Sequence, residues 1–467
     1  MGCFRRSSKM YSSRRICKRL CSKLFASGEK MVRLTGSISQ LSNQKVMVIG
    51  DFLLDTYTIG KARRISPEAP VAVIQVEREE HRPGGAGNVV LNLLSLGAHV
   101  IAVGRIGEDL SGKLLAETLQ DEGISTAGLM IQAGYPTPVK NRVIAENQQI
   151  VRVDHERILP IPEMLEQQVI EKLSSLLEDV KVVAISDYGK GFLSPTLLSG
   201  LMAETKKRGI PVITDPKGID FTKYQGSTVI KPNLKEAYEA VNLPFETSLD
   251  EVAKRVLKLT QAEVLMITRS ECGISLFYPN GKRDDFPVAV REVKDVTGAG
   301  DTVLAILACS VASGLSLGEA AQLSNVAAGI AIERFGCTRV TISDLAHRLL
   351  ELDVDNKVFN ENHFFALQEV LRGKFLAIIG LSSKDGFSAA LFDAIQQLRQ
   401  RENWNVLVNV LDREPLPAFI QMLASLHTID FISQQDNMEK LTSIMQPNEV
   451  YLAASNGLQK IEPIVIF

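Results

Sequence analysis

Asp295-Val296-Thr297-Gly298-Ala299-Gly300-Asp301 runs directly into an apolar stretch, Val303 to Val311, that reads as a helix. Two glycines flanking Ala299 let the backbone turn tightly and present consecutive N–H groups where the helix begins. With the positive end of the helix dipole behind them, Gly298, Ala299 and Gly300 form an anion hole. Asp301 then sets a carboxylate in the first helical turn, beside the anion. A base so placed is positioned to take a proton from a hydroxyl that attacks a phosphate. Taken alone, Gly-Ala-Gly-Asp fits a loop with an N-capping Asp equally well, so the surrounding sequence has to arbitrate.

From Val46 onward, short apolar strands alternate with amphipathic helices. Strands are expected at Val46–Gly50, Val100–Val103, Val182–Ser186, Val212–Asp215, Val229–Lys231 and Val264–Thr268, with helices such as Asn88–Leu96, Lys113–Glu122, Met164–Leu177 and Leu197–Lys207 between them. Apolar runs ending in Asp, Lys or Thr suit a largely parallel sheet covered on both faces, with functional groups at its carboxyl edge. The fold class is therefore α/β. Ala72–Glu77 and Val139–Val153 have strand character but no crossover helices, and read as antiparallel strands of a small lid. A lid keeps water from a reacting phosphoryl group.

At 467 residues the chain is too long for one ordinary core, and two domains are expected. With 45% hydrophobic and 23% charged residues and a net charge of -2, the chain reads as soluble, and nucleic acid is not the expected partner. No apolar run reaches the length of a membrane span. The six cysteines include no Cys-x-x-Cys pair, which suits a cytoplasmic location and speaks against a disulfide framework or a zinc site. Residues 1–40 differ from the rest, with Arg5, Arg6, Lys9, Arg14, Arg15, Lys18, Arg19, Lys23, Lys30 and Arg33 facing the single acid Glu29. That segment reads as a disordered extension, with Met31 as an alternative start; a targeting or membrane-surface arm is the competing reading. Polar sequence around Leu352–His363 reads as a linker spanning 353–372, separating a domain at 41–352 from a smaller α/β domain at 373–467. In the smaller domain, strands are expected at Phe375–Ile379, Asn405–Val410, Ile429–Ile432 and Val450–Ala453, and helices at Ser388–Arg399, Leu416–Leu426 and Met438–Met445.

A second glycine cluster, Pro83-Gly84-Gly85-Ala86-Gly87-Asn88, opens another helix. Two such clusters at this separation, within alternating strands and helices, resemble the ribokinase-like family of sugar kinases, also called PfkB kinases. The resemblance covers Lys45 to Asp344 and implies a three-layer α/β/α sandwich with a β lid, followed by a Rossmann-like domain. It implies that Gly84, Gly85, Gly87 and Asn88 lie against the sugar, and that Asp301 is the base behind the anion hole. Asn233-Leu234-Lys235-Glu236 matches an Asn-x-x-Glu element that organises ATP and Mg2+, with Glu236 acting on the metal through water or phosphate. A capped helix start is the alternative for that element. Thr268, Ser270 and Gly273 resemble the nucleotide-contacting turn, and Asn325 opens an adenine-lining helix segment for which close helix packing is as good an account.

Within the family, Gly50-Asp51-Phe52-Leu53-Leu54-Asp55-Thr56-Tyr57, Arg64-Ile65-Ser66-Pro67-Glu68-Ala69-Pro70, Gln149 to Asp154, Ser186-Asp187-Tyr188-Gly189-Lys190-Gly191 and Asp215-Pro216-Lys217-Gly218 are similar to D-glycero-D-manno-heptose 7-phosphate kinases. Asp51 and Asp55 suit sugar hydroxyls, Asp187 belongs to the same substrate group, and Lys140, Arg142, Arg152, Lys190 and Lys217 are candidates for a phosphate already on the sugar. The implied reaction is ATP-dependent phosphorylation at C1, toward the lipopolysaccharide core, by a homodimer; a kinase for another sugar phosphate and a non-catalytic regulatory protein are the alternatives. In many relatives of this branch a nucleotidyltransferase domain follows that makes ADP-heptose through a His-x-Gly-His motif. Only His363 and His427 occur after residue 353, and Phe387-Ser388-Ala389-Ala390 stands where the motif would fall, so the second domain is expected to be a degenerate transferase.

Overall fold

A computed structural model describes residues 34–146, 148–288, 293–353, 357–384, 386–454 and 457–462. The basic N-terminal segment through residue 33 lies outside them. The chain divides into two compact units: residues 40–341 form one, and 342–462 together with 34–39 form the other.

The first unit holds a nine-stranded sheet. Its order is Arg283–Phe286, Ile274–Phe277, Val264–Thr268, Val229–Ile230, Val212–Asp215, Val182–Ser186, Lys45–Gly50, His99–Gly107 and Leu129–Gln132. Every pairing from Val264–Thr268 through to Leu129–Gln132 is parallel, and the two strands at the other edge are antiparallel. Side chains alternate along a strand. Met47 and Ile49 accordingly join a core with Val183, Ile185, Leu173, Leu197 and Val256, which lie on the sheet or on the helices Glu163–Leu176, Pro195–Arg208 and Leu249–Thr260. Val46 and Val48 point the other way, toward the face covered by the helices Ala86–Ser95 and Ala299–Ala312. The resulting architecture is three layers, α/β/α.

The lid is a four-stranded sheet in the order Ala72–Gly85, Phe52–Ile65, Val139–Ala145, Gln148–His155. It differs from the expected antiparallel arrangement in one respect: Phe52–Ile65 pairs with Val139–Ala145 in parallel, setting Asp55 beside Lys140 and Tyr57 beside Arg142. Phe52–Ile65 escapes a sequence reading because its first half is buried on both faces and its second half is charged, so it has no period-two pattern. This strand leaves the main sheet directly after Gly50, so the lid and the sheet's carboxyl edge share one stretch of chain.

The second unit carries six strands in the order Val358–Phe359, Phe431–Ser433, Trp404–Val410, Phe375–Leu381, Glu449–Ala454, Gly457–Ile461. All pairings but the last are parallel. The expected linker is corrected here. Residues 353–372 contain the strand Val358–Phe359 and the helix Glu361–Leu371, and the helix Ile342–Asp353 falls in this unit. Asn360 caps Glu361–Leu371, whose His363, Phe364, Ala366, Leu367 and Leu371 are buried. Its polar first turn, Glu361 and Asn362, interrupts the apolar pattern that would have announced it.

Candidate active site

The helix Ala299–Ala312 begins as expected, with Gly298 at its N-cap in the left-handed region at φ 77°. A β-carbon there would lie 2.8 Å from Asn88 Nδ2 and 3.2 Å from Cys337 Sγ, so both conformation and space demand glycine. Asp301 follows in the first turn, 2% exposed. Its two oxygens are held separately: Asn88 Nδ2 donates to Oδ2 at 2.9 Å and the Tyr188 hydroxyl donates to Oδ1 at 2.7 Å. Burial pushes the carboxyl up to about 7, against the opposing pull of the Asn88 and Tyr188 hydrogen bonds. A carboxylate poised there is matched to proton transfer near neutrality.

Asn88 is itself fixed. Asn92 Nδ2 donates to Asn88 Oδ1 at 3.2 Å, and the Val340 amide donates to Asn92 Oδ1 at 3.1 Å. The first glycine cluster exists to bring this helix and the lid strand close. A β-carbon on Gly84 would fall 2.2 Å from Asp55 Oδ2. Gly85 and Gly87 complete the turn into the helix Ala86–Ser95.

Strand ends supply the rest of the floor, as parallel sheets do. Lys231, 2% exposed, pairs with Asp215 at 2.8 Å. A β-carbon built on Gly300 would lie 3.9 Å from Lys231 Nζ and 3.8 Å from Asp215 Oδ2, so this ion pair borders the anion hole. Asp215 is raised by burial and held down by Lys231. Asp51 accepts from the amides of Tyr188 and Lys190 at 3.0 and 2.9 Å through Oδ2, while its buried Oδ1 has no protein partner. Burial and the neighbouring Asp187 raise Asp51 to about 6.

The nucleotide candidates Asn233, Glu236, Thr268, Ser270 and Gly273 end or follow the strands Val229–Ile230 and Val264–Thr268. Asn233 caps the helix Leu234–Ala240 and forms a reciprocal capping box with Glu236. Both the capping alternative and the proposed element are thus compatible with one geometry. Glu236 Oε1 accepts from Lys217 Nζ at 2.8 Å. Thr268 bridges Asn233 between neighbouring strand ends, and Ser270 and Gly273 form the turn that follows. Asn325 is buried and donates to the Phe286 carbonyl at 2.7 Å, opposite Ile274 in the register, which ties its helix to that turn.

The phosphate candidates turn out differently. Arg142 is buried against Asp55, Lys190 donates to Glu156 at 2.7 Å, Arg152 grips Asp154 at 2.8 Å and Lys217 pairs with Glu236. Lys140 alone among these candidates has no carboxylate partner among the described residues; its ammonium sits 5.2 Å from the centre of the Tyr188 ring. Burial, then the charge of Lys190, lowers Lys140 below the usual lysine range. Asp187 accepts from Lys223 Nζ, the Tyr224 hydroxyl and the Gly189 amide, each at 2.6 Å, and anchors the loop rather than facing the cleft with a free oxygen. Tyr188, Asp215, Lys231 and Asn92 were not singled out from sequence. Asp215 and Lys231 stand at strand ends to which the carboxyl-edge rule points, and Tyr188 follows a third such strand inside the segment Ser186–Gly191, but the rule alone gives none of them a role.

No group of three or more His, Cys, Asp or Glu residues is arranged to hold a metal ion among the described residues. Glu236 has Oε1 against Lys217 and Oε2 against the Asn233 amide, which fits a Mg2+ reached through water or phosphate rather than ligated directly.

Comparison with known proteins agrees with this fold. Residues 43–344 match the profile of pfkB family carbohydrate kinases. A protein of Trichlorobacter lovleyi named bifunctional protein HldE is 46% identical over 323 residues, covering 68% of this chain; the chain spans 66% of that relative's length. A protein of the same name from Campylobacter jejuni is 37% identical over 431 residues, covering 87% of this chain and 90% of its own length. Among solved structures, Arabidopsis thaliana ribokinase complexed with ribose and ATP superposes with a TM-score of 0.54 at 22% identity, over 66% of this chain and 99% of that one. Escherichia coli phosphofructokinase-2 gives 0.53 at 20% identity, over 67% and 100%. The solved structures share the fold, and with the family match running over residues 43–344, more than half of its length, the chain belongs to the pfkB family of carbohydrate kinases.

Proposed function

We propose that the chain transfers the γ-phosphoryl group of ATP to C1 of D-glycero-D-manno-heptose 7-phosphate, giving the 1,7-bisphosphate. The observation that carries this is Asp301, buried at the start of the helix behind Gly298-Ala299-Gly300 with each oxygen separately held. Asp301 takes the proton of the attacking hydroxyl, and the amides of Ala299 and Gly300 receive charge developing on the transferred group. Lys231 borders that hole and adds a cation to it. Asn233 and Glu236 lie where Mg2+ would be held, and the ion when bound neutralises phosphate charge. Asp51, whose Oδ1 is unpartnered, and Asp55 accept from sugar hydroxyls, and the lid excludes water. The heptose assignment rests on the sequence resemblance of the Asp51–Asp55, Asp187–Gly191 and Asp215–Gly218 segments. No helix among the described residues is long and apolar enough to cross a membrane, and a cytoplasmic homodimer fits this reading.

A second reading, a kinase for a different sugar phosphate, is favoured by the commitment of Arg142, Arg152, Lys190 and Lys217 to carboxylates. An ATP-consumption assay over a panel of sugar phosphates separates the two. Heptose 7-phosphate should give the highest kcat/KM; a better substrate elsewhere in the panel would replace the heptose assignment. In the same assay Asp301→Asn should lose turnover by at least about a hundredfold, the scale of a positioned general base. Unchanged kcat would remove Asp301 from its role.

A further inference from the structure

We propose that Tyr188 is a positioning residue for the catalytic base: its hydroxyl holds Asp301 ionised and aimed, and its ring joins the base to the lid through Lys140. This rests on Asp301 being the base. The chain of contacts is short. The Tyr188 hydroxyl reaches Asp301 Oδ1 at 2.7 Å, and the Tyr188 amide reaches Asp51 Oδ2 at 3.0 Å. A β-carbon on Gly85 would stand 3.3 Å from the ring, so the first glycine cluster packs against it. The Lys140 ammonium, carried by the lid strand Val139–Ala145, lies 5.2 Å from the ring centroid. One side chain thus touches the sugar-side glycine turn, the lid and the base.

Other groups facing Asp301 and Tyr188 do not duplicate this role. Asn88 serves the opposite oxygen of Asp301. Asp215 and Lys231 are paired with each other at the strand ends. Cys337, from the segment after the helix Leu317–Ile332, is a buried thiol driven upward by burial and by Asp55, and stays neutral. The Tyr188 phenol is likewise pushed well above its ordinary value by burial and by Asp301, so it donates rather than accepts across the working pH range. A hydrogen bond to the charged form of a buried carboxyl favours that form. Removing it should leave Asp301 protonated to higher pH.

The test is the pH profile of kcat/KM for ATP-dependent sugar-phosphate phosphorylation by the full chain. Tyr188→Phe, which keeps the ring against Gly85 and under Lys140, should move the acid limb upward by about one to two pH units, the worth of a charge-assisted hydrogen bond. The rate deficit should be largest below neutrality and shrink on the alkaline side. A uniform loss at every pH with an unmoved limb would overturn the proposal, since that is what a purely structural tyrosine would give. If Tyr188→Phe does not fold, 3-fluorotyrosine placed at position 188 supplies a stronger donor in the same shape. It should move the limb downward, and an unmoved limb would again overturn the proposal. An active Asp301→Asn enzyme would instead refute the base assignment itself, whereas an inactive one with an unshifted Tyr188→Phe profile removes only Tyr188.

Discussion

Burying the Asp301 carboxyl carries a cost in stability. Its carboxyl is raised from 3.8 to about 7, chiefly by burial. Between those values the folded state keeps a proton that the unfolded state has released, so stability must fall as pH rises through that window. Three pH units correspond to on the order of 4 kcal/mol, comparable with a large share of a domain's net stability. Asp51, raised to about 6, works in the same direction, so the wild type alone cannot isolate Asp301. Asp301→Asn can. Its denaturant midpoint should decline less between pH 5 and pH 8 than that of the wild type. Identical declines would mean that burial does not govern this carboxyl. Asn88 and Tyr188 offset part of the burial cost without cancelling it, which is how the group stays near neutrality instead of moving higher. Asp301 was legible as a candidate base only in company: Gly-Ala-Gly-Asp alone fits a capped loop equally well, and the second glycine cluster within alternating strands and helices arbitrated. Tyr188 was not, since a tyrosine in a loop carries no local signal of the carboxylate 113 positions away.

At the scale of elements, buried parallel strands announced themselves and the lid only partly did. Val182–Ser186, Val212–Asp215 and Val264–Thr268 have the sequence-read bounds because uniformly apolar runs bounded by polar residues leave no choice. The lid strands lack a clean alternation, since the first half of Phe52–Ile65 is buried on both faces and Gln148–His155 is exposed along its whole length. The cations on the lid looked interchangeable in sequence, yet pairing separates them. Arg142 is paired with Asp55 in the parallel register that sequence could not supply, whereas Lys140, two residues earlier and on the same face, makes no ion pair with a carboxylate among the described residues. Desolvation by the lid makes an unpaired ammonium a strong attractor for an anionic group on the substrate. Lys140→Ala should therefore raise KM for the phosphorylated sugar by at least about tenfold, one good charge-assisted contact, with KM for ATP nearly unchanged. Equal changes in both constants would mean that Lys140 supports the lid and contacts no phosphate.

Across the whole molecule, two compact units raise the question of whether the second one does chemistry. We propose that it does none. A nucleotidyltransferase needs cationic or hydrogen-bonding groups converging on the α-phosphate, and losing such groups typically costs several kcal/mol of transition-state stabilisation. Ser388, at the position expected for the missing motif, instead caps the helix Ala389–Arg399 through the Leu391 amide at 3.2 Å. At the neighbouring carboxyl edge, Asp412 is absorbed by the Ser382 hydroxyl and the Ser383 amide. The unit nonetheless has its own core, with Ala377, Ile379, Ile395, Val406 and Val408 buried. Because Leu345, Leu349 and Leu350 are buried residues of the helix Ile342–Asp353, which belongs to this unit, a cut at residue 352 would divide it. The cut that respects the contacts falls after Thr341. A chain of residues 40–341 should keep kinase turnover within about threefold, the margin left by small losses of stability. Residues 342–467 should release no pyrophosphate from ATP and heptose 1-phosphate with Mg2+ present. Metal-dependent pyrophosphate release by that fragment would show that other groups, Lys384 or Arg413 among them, have taken over the work of the absent histidines.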